Sequence, residues 1–531
     1  MDTIDTLLGI TSGFLNNTTF QAILALTAGL VFVLLILMHP STAGTPKDKK
    51  IALRDWLGLT GSFVTERYRP MGRAIMVVAG LICGILVASG VMAMIGLWAA
   101  LWSIIDPTAT EKAAGDNVRG IAFALAAIFG LPFLVWRSVV TQQQANISEQ
   151  GQITDRISKA VEQLGAMRIK KESDGTEMFL PNLEVRIGGI YALERIAQDS
   201  LRDHVQIMEI LCAYVRENAP ASGAVELPAA PEYPEEPTYG IHKAWEKMFR
   251  SWEEEIRGLL NRVRPRTDIQ AVLKVIGRRN VRQQALELED TRHHSEGYRL
   301  DLRHTNLQGA DLRRQHFERA LFSETRLENA NLSGTELGGA YLKGAFLTLA
   351  QFHEAKMNGT IFRNSTLQCT FFFKAHLKNA VFTNTNLQGS VFAHANLQNA
   401  NLTHTKGQIG NFKNAWLRGV KFLQAELEGA NFIETRLQDS SFLAAHLQYA
   451  KMYDAILNGS TEFQFSHCLH LAVKGSDFSE NLEISPFHID QMFGDSTTKL
   501  PPNITPPPWH SVELSWGEFY KQWDTLKNKP S

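Results

Sequence analysis

The run His467-Cys468-Leu469-His470 brings together three residues of the two types that most often bind zinc, His and Cys. A tetrahedral zinc site wants two such ligand pairs at suitable spacing. No convincing second pair occurs, so a solvated turn beside an irregularity in the chain is the better expectation. Cys83, Cys212, Cys369 and Cys468 are scattered and never form a CxxC pair, which argues against a disulfide framework and for a reducing compartment. His304, His353, His376, His394, His404 and His446 show no metal-ligand spacing and read as solvated side chains. Glu194, Arg195, Asp203 and His204 fall together in the sequence, yet charges at such spacing on helices are usually solvated or paired along one face. No phosphate-cradling GxxxxGK[ST] loop, GxGxxG turn, GxSxG elbow or HExxH helix occurs. The expectation is a protein that is not an enzyme, with no catalytic, cofactor-binding or metal residue nominated and no cofactor.

The elements around these residues are unevenly distributed. The chain has 531 residues, a formal net charge of −1 and a pI near 7.0, a balance that gives no support to nucleic-acid binding. Nearly all continuous hydrophobicity lies before residue 140. Segments at about 20–38, 74–105 and 119–137 are expected to be three transmembrane helices, since a bilayer core needs about 20 helical residues. Seven Lys and Arg lie between residues 39 and 73, only Lys112 and Arg119 in the next loop, and Arg137 directly after the third segment. The positive-inside rule then places the N-terminus outside and everything after Arg137 in the cytoplasm, in an inner (plasma) membrane protein. A cleaved signal peptide fits less well, because the first segment lacks a basic start. Absent intramembrane charges argue against transport. Gly80 and Gly84 have the GxxxG spacing of close helix packing.

The expected organisation is an extracytoplasmic 1–19, a membrane region 20–144, a helical stalk and helix pair 145–217, a Pro-rich linker 218–239, a helical segment 240–298, a repeat region 299–480 and a cap or tail 481–531. Ile153, Ile157, Ala160, Leu164 and Met167 are spaced 4, 3, 4, 3, a short coiled-coil seam suited to pairing subunits. Pro228, Pro231, Pro234 and Pro237 predict a stiff, solvated linker.

From Leu302 to Leu457 every fifth residue is Leu, Phe or Met at 31 of 32 positions, Gly407 being the exception. Two residues before each next such position stands Ala, Ser or Thr; only Gln315, Gly410 and Val420 depart from this over 305–460. A period of five fits neither a helix at 3.6 nor a strand at 2.0, and instead fits a chain that turns a corner every five residues. Ala310-Asp311-Leu312, Ala330-Asn331-Leu332, Ala395-Asn396-Leu397 and Ala400-Asn401-Leu402 resemble the A(D/N)LXX signature of pentapeptide repeats over about 160 residues, and most of the chain from about residue 150 resembles bacterial membrane-anchored members of that family. The resemblance implies a right-handed quadrilateral β-helix with four repeats per coil, so that the fold class is α plus all-β: N-terminal transmembrane helices, cytoplasmic α-helical modules, then the β-helix with a C-terminal cap.

The alternation Phe362, Leu367, Phe372, Leu377, Phe382, Leu387, Phe392, Leu397 predicts Phe on two opposite sides and a solid interior. Gln308, Gln368, Gln388, Gln398, Gln438 and Gln448 are expected on outer, solvated faces, and 405–410 is expected to bulge. Gyrase-protecting members of the family are acidic DNA mimics, whereas residues 300–460 hold 16 Lys and Arg against 12 Asp and Glu, which argues against that role. The reading that follows is a membrane-anchored interaction scaffold with an unknown protein partner on the β-helix surface, and a possible homo-oligomer through transmembrane helices and stalk. The alternative is a membrane effector, for example in stress or defence, whose cytoplasmic part senses a signal and whose spans oligomerise to perturb the membrane.

Overall fold

The computed structural model describes residues 111–528 other than 172, 174–176, 236, 291, 293, 294 and 482, and only the backbone of 111–132 and 135. The expected spans at 20–38 and 74–105 lie outside the described residues. The backbone of 119–137 is helical, but most of its side chains lie outside too. Among the residues described in full, no helix is long and apolar enough to cross a membrane. The chain divides into two compact units, Met1–Gly151 and Gln152–Ser531. Helix α1, Glu111–Leu164, begins in the first and ends in the second.

The second unit opens with the end of α1 and an antiparallel hairpin, β1 (Met167–Lys171) and β2 (Glu177–Pro181). Helices α2 (Leu183–Asp199) and α3 (His204–Asn218) follow. Gly189 of α2 meets α1 so closely that a Cβ there would lie 2.7 Å from the Ala160 carbonyl oxygen. Ala160 and Leu164 are accordingly buried, with Ile153 and Ile157 partly buried against the same core. The seam expected to pair subunits is thus occupied within its own chain. An extended segment then leads to α4 (Tyr239–Leu260), α5 (Thr267–Gly277) and α6 (Val281–Glu289).

Helices α2, α3 and α5 share an apolar core that includes Ile190, Leu193, Leu211, Val215, Val272 and Ile276. A buried polar knot pins them together. Tyr214 donates to Asp268 at 2.5 Å, Arg266 grips both Asp268 oxygens at 2.7 and 2.8 Å, and Arg186 reaches Tyr214 at 3.3 Å. Burial alone would raise the Asp268 pKa, but the hydrogen bonds from Arg266 and Tyr214 hold it below the ordinary value.

From Asp301 the backbone coils. Parallel bridges join every fifth residue to the one twenty later, from Asp301–Leu321 to Arg436–Ile456, so one coil is four five-residue sides. The every-fifth Leu and Phe side chains are buried in the interior. Each side closes in a tight turn, as in Ala310 N–H to Leu307 O at 3.1 Å, with the residue between at positive φ, for example Gly309 at 65°. That left-handed φ is what a type II turn requires, and it accounts for the Gly, Asn and His found at such corners. The Ala, Ser and Thr slots are buried beside the centres. There the hydroxyls find partners across coils: Thr325, Thr335, Thr360 and Thr370 donate to carbonyls of the preceding coil at 2.8 to 2.9 Å. This position takes a small residue or one whose hydroxyl is hydrogen-bonded, Gln315 and Val420 being the larger exceptions.

Two phenylalanine stacks run through the interior. Phe352, Phe372, Phe392, Phe412 and Phe432 stack at 4.6 to 5.1 Å between centroids, nearly parallel. Phe362 and Phe382 stack at 4.7 Å on the opposite side and meet the first stack edge-on. Gly407 does not break the ladder. Lys406 bridges both Asn386 and Glu426, and Leu427 fills the room that a side chain at 407 would take, its Cδ2 only 3.0 Å from where a Cβ would stand. The bulge expected over 405–410 is absent because the neighbouring coil supplies the missing volume.

After Leu457 one extra residue shifts the spacing to 21, as in Ser441–Glu462 and Ile456–Asp477. Pairing then continues through Ala472–Phe493 to Asp477–Lys499, past the boundary near 480 expected from the pattern, with helix α7 (Pro486–Gln491) inserted in the last coil. The final helix α8 (Trp516–Lys527) packs Phe519 and Trp523 against Tyr453, which follows the interior Met452 and faces outward.

The first coil's open edge is a ready template for aggregation. Each of its four sides receives a different partner. Arg216 donates to the Asp301 carbonyl at 2.6 Å, and Asn306 N–H donates to the Ala219 carbonyl at 2.7 Å. The Gln270 amide bonds both Asp311 N–H and C=O, and Gly277 accepts from His316 N–H at 2.7 Å. The helical module is the N-terminal plug of the coil.

Candidate functional site

A filled interior leaves chemistry and recognition to the outer faces, which are not alike. The face carrying residues 308, 328, 348 and so on to 448 is covered by the chain itself. Residues 224–235 run along it as an extended strap, and α4 returns beside the strap in the opposite direction.

Two indoles fix this arrangement. Trp245 donates to the Pro231 carbonyl and Trp252 to the Pro228 carbonyl, both at 3.0 Å. Seven helical residues advance about 10 Å, and three residues of polyproline-like chain advance about 9 Å, so the two elements keep step. Leu227, Ala230 and Tyr233, every third residue of the strap, pack against Trp245, Phe249 and Trp252. The proline-rich segment expected to be a solvated linker is therefore docked, because its three-residue period presents one apolar edge.

The length of α4 also matches. Its 22 residues span about 33 Å, and the seven coil steps from Gly309 to Tyr449 span about 34 Å. Along that line a Cβ on Gly309 would sit 2.0 Å from the Val263 carbonyl oxygen just beyond α4. One on Gly389 would sit 2.9 Å from the Phe249 ring, and one on Gly429 2.7 Å from the His242 ring. Leu349, Cys369 and Ile409 occupy the corners between and complete the apolar seat.

At the far end Tyr449 donates to the Pro237 carbonyl at 3.2 Å and its ring meets Tyr239 and His242. Lys527 of α8 lies over the rings of Trp523 and Tyr239. Burial lowers the His242 pKa to about 4, and its Nδ1 lies 2.9 Å from the Tyr233 hydroxyl.

The glutamines divide between faces. Gln308, Gln368 and Gln388 are buried beneath the strap and α4, contrary to the solvated placement expected of them. Gln308 reads the strap backbone directly, accepting from Val225 N–H at 2.8 Å and donating to Val225 C=O at 2.9 Å. Gln448, on the same face, is half-buried, as are Gln398 and Gln438 on another. The signal for this division lay in the twenty-residue column, because 308, 328, 348, 368, 388, 408 and 428 are all polar and all buried. Glu428 on it has its carboxyl pKa raised by burial and lies 3.3 Å from His446 Nδ1.

The nominated clusters do not assemble. Cys468 fills an interior slot, where burial pushes its thiol up to about 12, while His467 meets His446 and His470 meets Tyr449 on the outside. His353, His376, His394 and His404 are spread along the coils. Glu194 pairs with Arg278 at 2.5 Å, whereas His204 is buried against Glu287 at 2.8 Å.

Two faces lie outside this cover. One carries an apolar column, Leu321, Tyr341, Ile361 and Val381, each half-buried and one coil apart, flanked by exposed Lys343 and Arg363. Another carries Trp416, 43% exposed, with Arg436 stacked 4.8 Å over its ring.

Residues 355–432 match the family described as pentapeptide repeat region, and residues 299–334, 330–368 and 425–461 match that described as pentapeptide repeats. Residues 299–461 are a pentapeptide-repeat region. Such repeats form a right-handed quadrilateral β-helix. Solved structures similar to part of this chain include HetL, a pentapeptide repeat protein involved in heterocyst differentiation regulation from the cyanobacterium Nostoc sp. strain PCC 7120. The two are 20% identical over 35% of this chain and 90% of that one, with a TM-score of 0.23. Trypsin-treated QnrB1, a plasmid-mediated fluoroquinolone resistance protein, is 16% identical over 41% and 95%, with a TM-score of 0.21. A pentapeptide repeat protein of the Arabidopsis thaliana thylakoid lumen is 24% identical over 22% and 80%, with a TM-score of 0.16. No curated protein matches the chain.

Proposed function

We propose that this protein is a non-enzymatic interaction scaffold, anchored in the inner membrane by its N-terminal third, whose pentapeptide-repeat β-helix offers its uncovered faces to a cytoplasmic protein. The observation that carries the reading is the unequal treatment of the faces. The interior is packed with stacked phenylalanines, the first coil's edge is plugged, and one long face is sealed by the strap and α4. The apolar column Leu321–Tyr341–Ile361–Val381 stays half-exposed outside that cover, with Arg299 over the Tyr341 ring and Lys343 and Arg363 beside it, and a contiguous apolar stretch with a polar rim is the ordinary mark of a protein-binding surface. Anchoring rests on the apolar segments at about 20–38, 74–105 and 119–137, the third carrying charge only at its ends, Arg119 and Arg137, and the cytoplasmic side on the seven basic residues between 39 and 73. The cationic flanks favour an acidic partner surface over nucleic-acid mimicry.

Proximity labelling with the full chain in cells tests the reading. A defined protein enriched by the wild type and lost with Tyr341→Asp and Ile361→Asp together is expected. Enrichment unchanged by that double variant, or no enrichment over an anchor-only control, overturns it.

A further inference from the structure

Among the described residues, one set of three metal-ligating side chains converges: His316, Glu318 and Glu336, each offering an atom within 4.8 Å of the others. In the sequence they are separated by 2 and 18 residues, a spacing that belongs to no common metal motif. The coil makes them neighbours, because His316 bridges Glu336 one turn on while Glu318 lies on the same outer side of its strand. The imidazole is held from behind by its own backbone. His316 N–H donates to Gly277 C=O, and Arg279 donates to His316 C=O, each at 2.7 Å.

An independent observation concerns one nitrogen. His316 Nδ1 is shielded from solvent and makes no hydrogen bond, although it points at two carboxylates. It lies 3.6 Å from Glu318 Oε1 and 3.7 Å from Glu336 Oε2. Those separations are long for a charge-assisted hydrogen bond, which closes to about 2.8 Å. They are close to the ligand–ligand edge of a tetrahedral ion, about 3.4 Å for bonds of roughly 2.0 to 2.1 Å. Lys356 donates to the other Glu336 oxygen, Oε1, at 2.7 Å, which leaves Oε2 free to face the imidazole.

We propose that His316 Nδ1 and the carboxylates of Glu318 and Glu336 form a binding site for a divalent cation of the zinc class, with water in the remaining position. One nitrogen and two oxygens suit such a borderline ion better than the all-oxygen shells of calcium or magnesium. Because Glu336 is on the second coil and the other two on the first, the ion ties the first two coils together beside the helical plug.

The test is titration of the chelator-stripped full chain with zinc chloride, read by competition with a chromogenic chelator and by melting temperature. The wild type is expected to take one ion per chain at a site that His316→Ala and Glu318→Gln each weaken at least tenfold, roughly the least that even supporting residues cost. Zinc should raise the melting temperature of the wild type and not that of His316→Ala. His404→Ala, which removes an exposed histidine elsewhere, should leave both readouts unchanged. His316 makes no side-chain hydrogen bond through Nδ1, and Glu318→Gln keeps size and polarity, so both variants should fold. Identical isotherms for wild type and His316→Ala, or a zinc-induced shift that survives in both variants, would overturn the proposal and assign any uptake to scattered surface histidines.

Discussion

The covered face and the uncovered faces of the coil are built from the same five-residue unit, yet they carry different residues at the same structural positions. At the corner beneath α4 the left-handed positions read Gly309, Asn329, Leu349, Cys369, Gly389, Ile409, Gly429 and Tyr449. At the corner beginning with His304 they read Glu324, Gly344, Asn364, Asn384, His404 and Gln424. Backbone geometry is the same in both, with φ from +51° to +69°. Local conformation therefore cannot explain the apolar residues, since Leu and Ile are poor occupants of left-handed backbone. They are explained by what lies on top of them. In this molecule the interior specifies the fold, and the corners specify which face is bound.

The largest contrast is expected from the aromatic residues of α4. Phe249 is fully buried between Gly389 and the neighbouring tryptophans. Phe249→Ala should cost about 3–5 kcal/mol in urea unfolding, as for other buried aromatic truncations. Trp416 on an uncovered face should cost within about 0.5 kcal/mol as Trp416→Ala, apart from its contact with Arg436. Equal effects at the two positions would mean that the strap and α4 are not an integral part of the folded unit.

A finer contrast separates backbone strain from contact. Gly389 and Gly359 have φ of +68° and +69°, but a Cβ on Gly359 would meet nothing within 4 Å. Gly359→Ala should cost about 1–2 kcal/mol for the left-handed backbone alone. Gly389→Ala should add about 1–3 kcal/mol for displacing the Phe249 ring. Gly359→Asn should be milder still, as Asn occupies this conformation at 364, 379 and 384. A common cost for both alanines would show that α4 yields at no expense.

The far end of the strap should respond to acid. Burial holds His242 neutral in the folded protein down to about pH 4, whereas unfolded it takes up a proton near 6.5. The unfolded state then binds more protons between those values, so stability contributed here is present above pH 6.5 and is lost as pH falls toward 4. The slope is up to about 1.4 kcal/mol per pH unit. His242→Asn, which cannot titrate, should flatten the dependence between pH 6.5 and 4 relative to wild type, measured by urea unfolding at fixed ionic strength. Parallel curves would mean that the ring is hydrated when folded.

How much of this was legible depended on the length of the period involved. The five-residue pattern reports the interior directly, because each Leu or Phe occupies a slot of one size, and the alternation of Phe and Leu shows up as the two stacks. Gly407 misled because its missing volume is supplied by Leu427, twenty residues away. The strap was read as solvated because its apolar edge, Leu227, Ala230 and Tyr233, follows a three-residue period that neither helix nor strand patterns detect. The coils beyond 480 were lost when a single inserted residue shifted the register to 21. Likewise the carboxylates beside His316 are neighbours only across the coil, so no linear motif contains them.

Gln308 gives the smallest effect and isolates the polar part of the cover. Its amide makes two hydrogen bonds with Val225, one to N–H and one to C=O, as a neighbouring strand would. Nearby, Glu226 pairs with Arg326 at 2.9 Å, a contact that survives the loss of Gln308. Gln308→Ala should therefore cost only about 1 kcal/mol in global stability, the net worth of one or two neutral hydrogen bonds. The local consequence is larger than the global one, since the Val225 amide then opens without unfolding the coil. Hydrogen exchange at Val225 should accelerate in Gln308→Ala while exchange at Trp245 and Phe249 stays slow. Acceleration at all three would make the strap and α4 one cooperative layer, in which the glutamine column and the apolar corners act together to hold the face closed.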